Sequence, residues 1–316
     1  NFKKVSDEVM KNAEIGGVSH LENYSTFTEN KHRGKNQWLF NKPVLDSFAG
    51  GFNNLATKSK SSKLAKLALV SAIMNNSNAK KDGKCLRYKN NWENLNYDKY
   101  SFLETLESNL NIIEKDLKNR IKIKPNIKTG DSRKLIKKLN TKFKLCITSP
   151  PYLNTFDYTD IYRPELFLSG FINSSEELRK LRHETVRSHV QVNWNKPKLN
   201  DFGTHFNEVF KKISDKKELL MHKNIPYMIS AYFEDMQGIF TDLLQKADNG
   251  ASLWFVVSTS AYANEHIPVD LILADIATRA GWKLKEIGVL REINKRKTKY
   301  SPDIDKLRES VIILKN

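Results

Sequence analysis

The residues best suited by type and spacing to do chemistry are Thr148-Ser149-Pro150-Pro151-Tyr152. Proline has no N–H to give a sheet ladder, so two in succession end a strand abruptly and hold its exit extended. The Ser149 hydroxyl and the Pro150 carbonyl can then point into one small space with the Tyr152 ring beside it. Acceptors converging next to an aromatic wall suit a planar amine: they take its N–H hydrogens while the ring lies against its π face. A bare Ser-Pro-Pro would more often be a rigid strand exit with no ligand. Here an apolar run, residues 144–148, leads straight into it, and open α/β sheets bind their ligands at the C-terminal ends of such strands.

The elements that must position this segment are legible from periodicity. Residues 42–51 read as a short buried strand feeding a glycine turn, and 62–76 as an amphipathic helix with Leu64, Leu67, Ala68, Val70, Ser71 and Met74 on its apolar side. Residues 78–98 read as a basic loop interleaved with aromatics. A second helix is expected over 100–121, with Leu103, Leu106, Leu110 and Ile113 on one face. A short strand, a Gly-Asp turn and a short helix follow over 127–139, then the buried strand 144–152. Residues 153–230 are long and polar, with basic helical pieces such as 175–190. The order closes with helix 232–247, strand 251–260, helix 267–281 ending at Gly281, and strands 282–293 and 309–316, able to pair antiparallel at a sheet edge. Alternation of this kind predicts an α/β fold with a mainly parallel sheet covered on both faces. The expected division is an N-terminal segment, 1–41, followed by one catalytic domain over 42–316 with insertions at about 78–125 and 153–230.

Composition narrows the class. The 316 residues carry 53 Lys+Arg against 36 Asp+Glu, a net charge of +17, which favours polyanionic partners, nucleic acid first. With 39% hydrophobic residues the chain has a real core, so a wholly disordered chain is excluded. No apolar stretch is long enough to span a membrane. Two cysteines, Cys85 and Cys146, with no Cys-x-x-Cys, argue against a disulfide scaffold or zinc site and for a reducing, cytoplasmic setting. The chain begins at Asn1 in a polar run with no apolar signal region. His183 and His189 lack carboxylates at metal-site spacing and are read as surface residues.

The segment KLCITSPPY resembles the catalytic motif of the DNA amino-methyltransferases, which move a methyl group from S-adenosylmethionine to the exocyclic nitrogen of cytosine or adenine and carry Ser/Asp/Asn-Pro-Pro-Tyr/Phe. Residues 77–89, 129–135, 149–171 and 308–315 are similar to bacterial members, so the resemblance covers about residues 42–316. It implies a mostly parallel class I methyltransferase (Rossmann-like) sheet with an antiparallel C-terminal edge strand and helical insertions. It also implies a catalytic site of Ser149, Pro150, Pro151 and Tyr152. Cofactor contacts are implied at Asp46, Phe48, Ala49, Gly50, Gly51, Asn53, Asp131 and Thr148. VLDSFAGG resembles the family's Asp-Pro-Phe-x-Gly-x-Gly, with Ser47 in place of the usual Pro and Phe52 where the last Gly is expected. Asp131 matches the acidic position facing the cofactor's adenine, a role compatible with capping the helix that follows.

The chain departs from the pattern directly afterwards. GFNNLATKSK resembles the end of the family's second strand, yet arrives only about seven residues after Asp46, where a helix and strand need roughly twenty. Either residues of a cofactor loop are omitted from the sequence, the preferred reading, or the site is degenerate.

The implied activity is site-specific methylation of a flipped base in double-stranded DNA. Ser149 leans it to cytosine N4, with adenine N6 as the alternative. A catalytically inactive nucleic-acid-binding module with the same fold stays open, as does an RNA methyltransferase. Carbon-5 transfer would need a Pro-Cys nucleophile, and none occurs. DNA contacts are expected at Arg87, Lys89, Tyr158, Arg163, Arg182 and Arg187, among neighbours such as Lys84, Trp92 and Trp194. A restriction endonuclease or second subunit is a possible partner; no metal and no membrane are expected.

Overall fold

The computed structural model describes residues 2–21, 30–32, 35–55, 59–83, 85–119, 123, 125–295 and 298–316. In chain order the elements are α1 (Phe2–Ile15), β1 (Asn30–His32), β2 (Lys35–Gln37), α2 (Lys42–Asn53), α3 (Lys60–Asn75), β3 (Ala79–Asp82), β4 (Cys85–Tyr88) and α4 (Lys99–Lys118). Next come α5 (Ser132–Leu135), β5 (Phe143–Thr148), α6 (Tyr158–Ile161), α7 (Arg163–Leu168), α8 (Ser175–His183) and α9 (Thr204–Asp215). The last are α10 (Ile225–Lys246), β6 (Ala247–Ser258), β7 (Ser260–Tyr262), β8 (Glu265–Ile267), α11 (Val269–Arg279), β9 (Lys283–Asn294) and β10 (Lys306–Lys315). Expected positions Ala56, Thr57, Lys58, Lys84 and Ile121 lie outside the described residues. Two compact units form: residues 1–126 with 158–178, and residues 127–157 with 179–316.

The first unit is built on helices. α1, missed by the sequence reading, buries Phe2, Ser6, Val9 and Ala13, a spacing of three and four that carried the signal. It packs on α2, and α3 packs on α4. Residues 42–53 correct the expectation of a strand and glycine turn. Pro43 suits the first helical turn, and Val44, Leu45, Phe48 and Ala49 then share one buried side. Short apolar runs do not distinguish strand from helix by periodicity. α3 has the expected extent, capped by Ser59, but its buried side is Ala65, Ala68, Leu69, Ala72 and Ile73, while Leu67 faces solvent. α4 starts at an Asp98/Ser101 capping box and buries Phe102, Leu106 and Leu110. The expected loop at 78–98 contains the β3–β4 hairpin, and its Trp92 is packed between Trp38 and Tyr88, with ring centroids 4.7 and 4.9 Å away.

The second unit is a mixed α/β body around a four-stranded sheet of order β5-β6-β10-β9. Only β5 and β6 pair in parallel; β10 is antiparallel to both β6 and β9. Three strands therefore run one way and the C-terminal strand runs against them, inside the sheet. This corrects the expected antiparallel C-terminal edge strand: β9 is the edge. α10 and α11 are crossovers that return the chain in the same direction, whereas no helix lies between β9 and β10 among the described residues, which permits antiparallel pairing. The expected strand at 127–129 is absent.

The core joins α9, α10 and α11 to one sheet face, through Phe206, Phe233, Phe240, Leu273, Phe255 and Ile312. The buried Trp282 ring ties in by donating Nε1–H to the Phe240 carbonyl at 3.0 Å. On the other face Leu145, Ile147 and Trp254 are 55, 65 and 43% exposed. The expected burial of both faces does not hold there, and β5 is an edge strand, not a buried one.

Candidate active site

β5 brings Thr148, Ser149, Pro150 and Pro151 to the C-terminal end of the sheet's parallel pair. There they line a cavity of about 480 Å³ with Ser132, Cys146 and Phe255. That volume is in the range of small-molecule sites. Ser149 is exposed and Tyr152 half-buried. The Ser149 hydroxyl donates to the Tyr152 hydroxyl at 3.3 Å, and Tyr152 donates to Glu309 Oε1 at 2.6 Å. Glu309 stands opposite Arg291 in the β9–β10 ladder, and Arg291 Nε donates to Glu309 Oε2 at 2.7 Å. The Tyr152 hydroxyl, followed by Arg291, holds the Glu309 carboxyl below the usual carboxylate range, against the opposing effect of burial.

The turn after the motif is tied down on both sides. The Leu153 carbonyl accepts from the Tyr262 hydroxyl at 3.2 Å, and the buried Asp157 pairs with Arg182 Nε at 2.9 Å. Thr155 adopts φ 62°, a left-handed conformation costly for a β-branched residue, so the surroundings must hold it there. Cys146 points into the core side of β5. Burial pushes its thiol up, which favours the neutral form.

The structure brings Ser149, Pro150, Pro151, Tyr152 and Thr148 together. The remaining cofactor candidates have other work. Asp131 caps α5: its carboxylate accepts from Arg133 N and Nε, both at 3.0 Å, and from Arg133 Nη2 at 2.9 Å. Burial opposes ionisation of Asp131, but Arg133 outweighs it and the carboxyl lies below its ordinary range. In the first unit, Phe48 and Ala49 are buried, Asp46 pairs with Lys42 at 3.0 Å, and Asn53 Nδ2 donates to the Val18 carbonyl at 3.1 Å. Gly50 is pressed against α1: a Cβ there would meet the Asn12 carbonyl oxygen at 2.2 Å, and one at Gly51 would meet Leu69 Cδ2 at 2.9 Å. These glycines allow two helices to touch. The α2 backbone at Gly50 and Gly51, which the resemblance assigns to the cofactor, is covered by neighbouring residues.

The expected DNA contacts also sort. Arg182 is committed to Asp157, and Arg187 to Asp235 and Glu234, each at 2.7 Å. Both are ion-pair partners within the second unit. Lys89 Nζ donates to the Tyr97 hydroxyl at 3.0 Å, and Arg87 pairs with Asp82 at 2.7 Å. Tyr158 and Arg163 are exposed on α6 and α7. Arg163 pairs with no carboxylate among the described residues and lies near enough to Tyr88 to act on its hydroxyl electrostatically. His183 is exposed as expected. His189 is buried instead: its Nδ1 accepts from the Gln191 N–H at 3.3 Å, and its carbonyl accepts Trp194 Nε1–H at 2.6 Å. Among the described residues no His, Cys, Asp and Glu group could hold a metal ion, and no helix is long and apolar enough to cross a membrane. Glu309 and Arg291 were missed by the sequence reading. The available signal was an acid opening an otherwise apolar strand.

Comparison with known proteins points to one class. The curated relatives of this chain are Type II methyltransferases, so the likeness read from the motifs is shown. One is M.BsoBI of Geobacillus stearothermophilus, 28% identical over 83% of this chain and 61% of that protein. Another is M.AvaI, from a Nostoc strain and from Anabaena variabilis, 30% identical over 52% of this chain and 36% of that protein. The chain thus spans about three fifths of the first relative's length and little more than a third of the second's. No protein-family model matches the chain.

Proposed function

We propose that this chain is a site-specific DNA methyltransferase of the restriction–modification kind, acting on the exocyclic amine of a flipped base, cytosine N4 before adenine N6. The observation that carries the reading is the Ser149–Tyr152 segment at the end of β5, with Ser149 open to the adjoining cavity. Support for a class I sheet comes from three codirectional strands with the C-terminal strand reversed inside them. Residues 42–316 would form the catalytic domain, double-stranded DNA the substrate, and a restriction endonuclease or second subunit a partner.

S-adenosylmethionine is the methyl donor in this proposal and would supply an electrophilic methyl group. The chain's own residues act on the base. The amine lone pair of cytosine or adenine is delocalised into the ring. Ser149 Oγ and the Pro150 carbonyl would accept the two N–H hydrogens and favour a more tetrahedral nitrogen, an interaction that strengthens toward the transition state. Tyr152 would lie against the base and keep its plane.

A second reading is favoured by the helical α2: a nucleic-acid-binding module that holds a base without transferring a methyl. One experiment separates the readings. The protein is incubated with unmodified duplex DNA and labelled S-adenosylmethionine, the DNA is digested to nucleosides and these are identified by mass spectrometry, with calorimetry of the cofactor alongside. N4-methylcytosine is the expected product. N6-methyladenine would transfer the assignment to the alternative, and no product with no heat of cofactor binding would establish the module.

A further inference from the structure

We infer that Glu309 determines specificity: it sets the direction of the hydrogen bonds behind Ser149 so that the site accepts a base amine and refuses a base carbonyl. The inference rests on the reading that Ser149 and Pro150 face the base, and it holds whether or not a methyl is transferred.

The argument is a count of hydrogens. An ionised carboxylate only accepts, and a phenol has one hydrogen to give. With Glu309 Oε1 2.6 Å from the Tyr152 oxygen, that hydrogen goes to Glu309 in a short, charge-assisted bond. Tyr152 can then only accept from Ser149, 3.3 Å away, and the single hydroxyl hydrogen of Ser149 is spent inward. The lone pairs of Ser149 remain for the cavity, and the Pro150 carbonyl has lone pairs alone. Ser149 and Pro150 thus offer the cavity acceptors alone. The amine of cytosine or adenine brings two hydrogens to it. The carbonyl of uracil or hypoxanthine brings lone pairs, leaving acceptors unpaired against acceptors, which costs as much as an unmade buried hydrogen bond. Arg291 supports the arrangement by bonding the other carboxylate oxygen, so that Glu309 remains an acceptor.

Replacing the carboxylate by an amide removes the constraint. A Gln amide can donate to the Tyr152 oxygen, the phenol hydrogen then turns to Ser149, and the Ser149 hydrogen is released toward the cavity. The test is titration of the wild-type protein with cytidine against uridine, and adenosine against inosine, by ligand-observed NMR. Glu309→Gln, Glu309→Asp and Tyr152→Phe are titrated in parallel, with thermal melts to establish that each is folded. The wild type should bind the amine member of at least one pair about tenfold more tightly than its carbonyl twin. Glu309→Gln and Tyr152→Phe should narrow that ratio to about twofold or less, and Glu309→Asp should keep most of it. A tenfold ratio preserved in both Glu309→Gln and Tyr152→Phe overturns the role of Glu309 and leaves the base-amine reading standing. Equal binding of amine and carbonyl by the wild type, or no nucleoside binding at all, overturns both. If Glu309→Gln does not fold, Tyr152→Phe decides, since it leaves Glu309 and Arg291 in place.

Discussion

At the residue scale the site is a short chain of hydrogen-bonding groups, and its members make unequal contributions. On the proposed function Ser149 offers an acceptor to the base, and Ser149→Ala should then lower methyl transfer by about 10- to 100-fold, the worth of one hydrogen bond that strengthens in the transition state. Tyr152→Ala removes the partner of Ser149 and, on the proposed function, the wall beside the base, and the larger loss is expected there. Single-turnover assays on duplex DNA check both; unchanged turnover in the two variants would remove the catalytic assignment. The motif itself was legible because its chemistry is local: two prolines, a hydroxyl and a phenol within four residues. Glu309 was not legible, since nothing in the chain 157 residues away announces that it will meet Tyr152.

At the element scale the helices and the strand order decide what each side chain is free to do. α1 and α2 touch through Gly50, so Gly50→Ala should destabilise the first unit by about 1–3 kcal/mol, the usual cost of overpacking. Thermal melts measure that loss; an unshifted melting temperature together with weakened cofactor binding would return Gly50 to a cofactor loop. In the second unit Asp270, fully buried on α11, accepts from Arg308 Nε at 2.8 Å and from the Ser310 hydroxyl at 2.7 Å, joining α11 to β10. Burial opposes its ionisation, but Arg308 and Ser310 outweigh it, and the carboxyl lies below its ordinary value of 3.8. A depressed carboxyl contributes stability in full above the unfolded value and loses it as pH falls through the folded one. Asp270→Asn should therefore cost about 2–3 kcal/mol near neutrality, a figure reduced for the partial exposure of Arg308. The gap from wild type should close below about pH 4, followed by urea denaturation across pH. A gap that widens in acid would contradict the sign.

At the scale of the whole molecule, the surplus of positive charge predicts DNA binding that weakens steeply with salt, measured as the slope of log affinity against log salt concentration. Which cations take part is a matter of tertiary structure. Arg163→Ala should reduce both affinity and slope, whereas Arg187→Ala, which takes one guanidinium from Asp235 and Glu234, should lower the melting temperature and leave the slope nearly unchanged. The opposite pattern would restore Arg187 as a phosphate contact. The sequence by itself determined the existence of α3, α4, α10, α11 and the closing strands, because an amphipathic period of 3.6 or 2 is written locally in the residues that must be buried. It also determined the Ser149–Tyr152 motif, for the same reason. Only the tertiary structure decided that residues 42–53 coil into a helix against α1, that β10 runs inside the sheet, and that Arg182, Arg187 and Asp131 are spent on partners of their own unit. Those outcomes depend on pairings between residues far apart in the chain, where the energy of a contact belongs to two segments at once and is visible in neither alone.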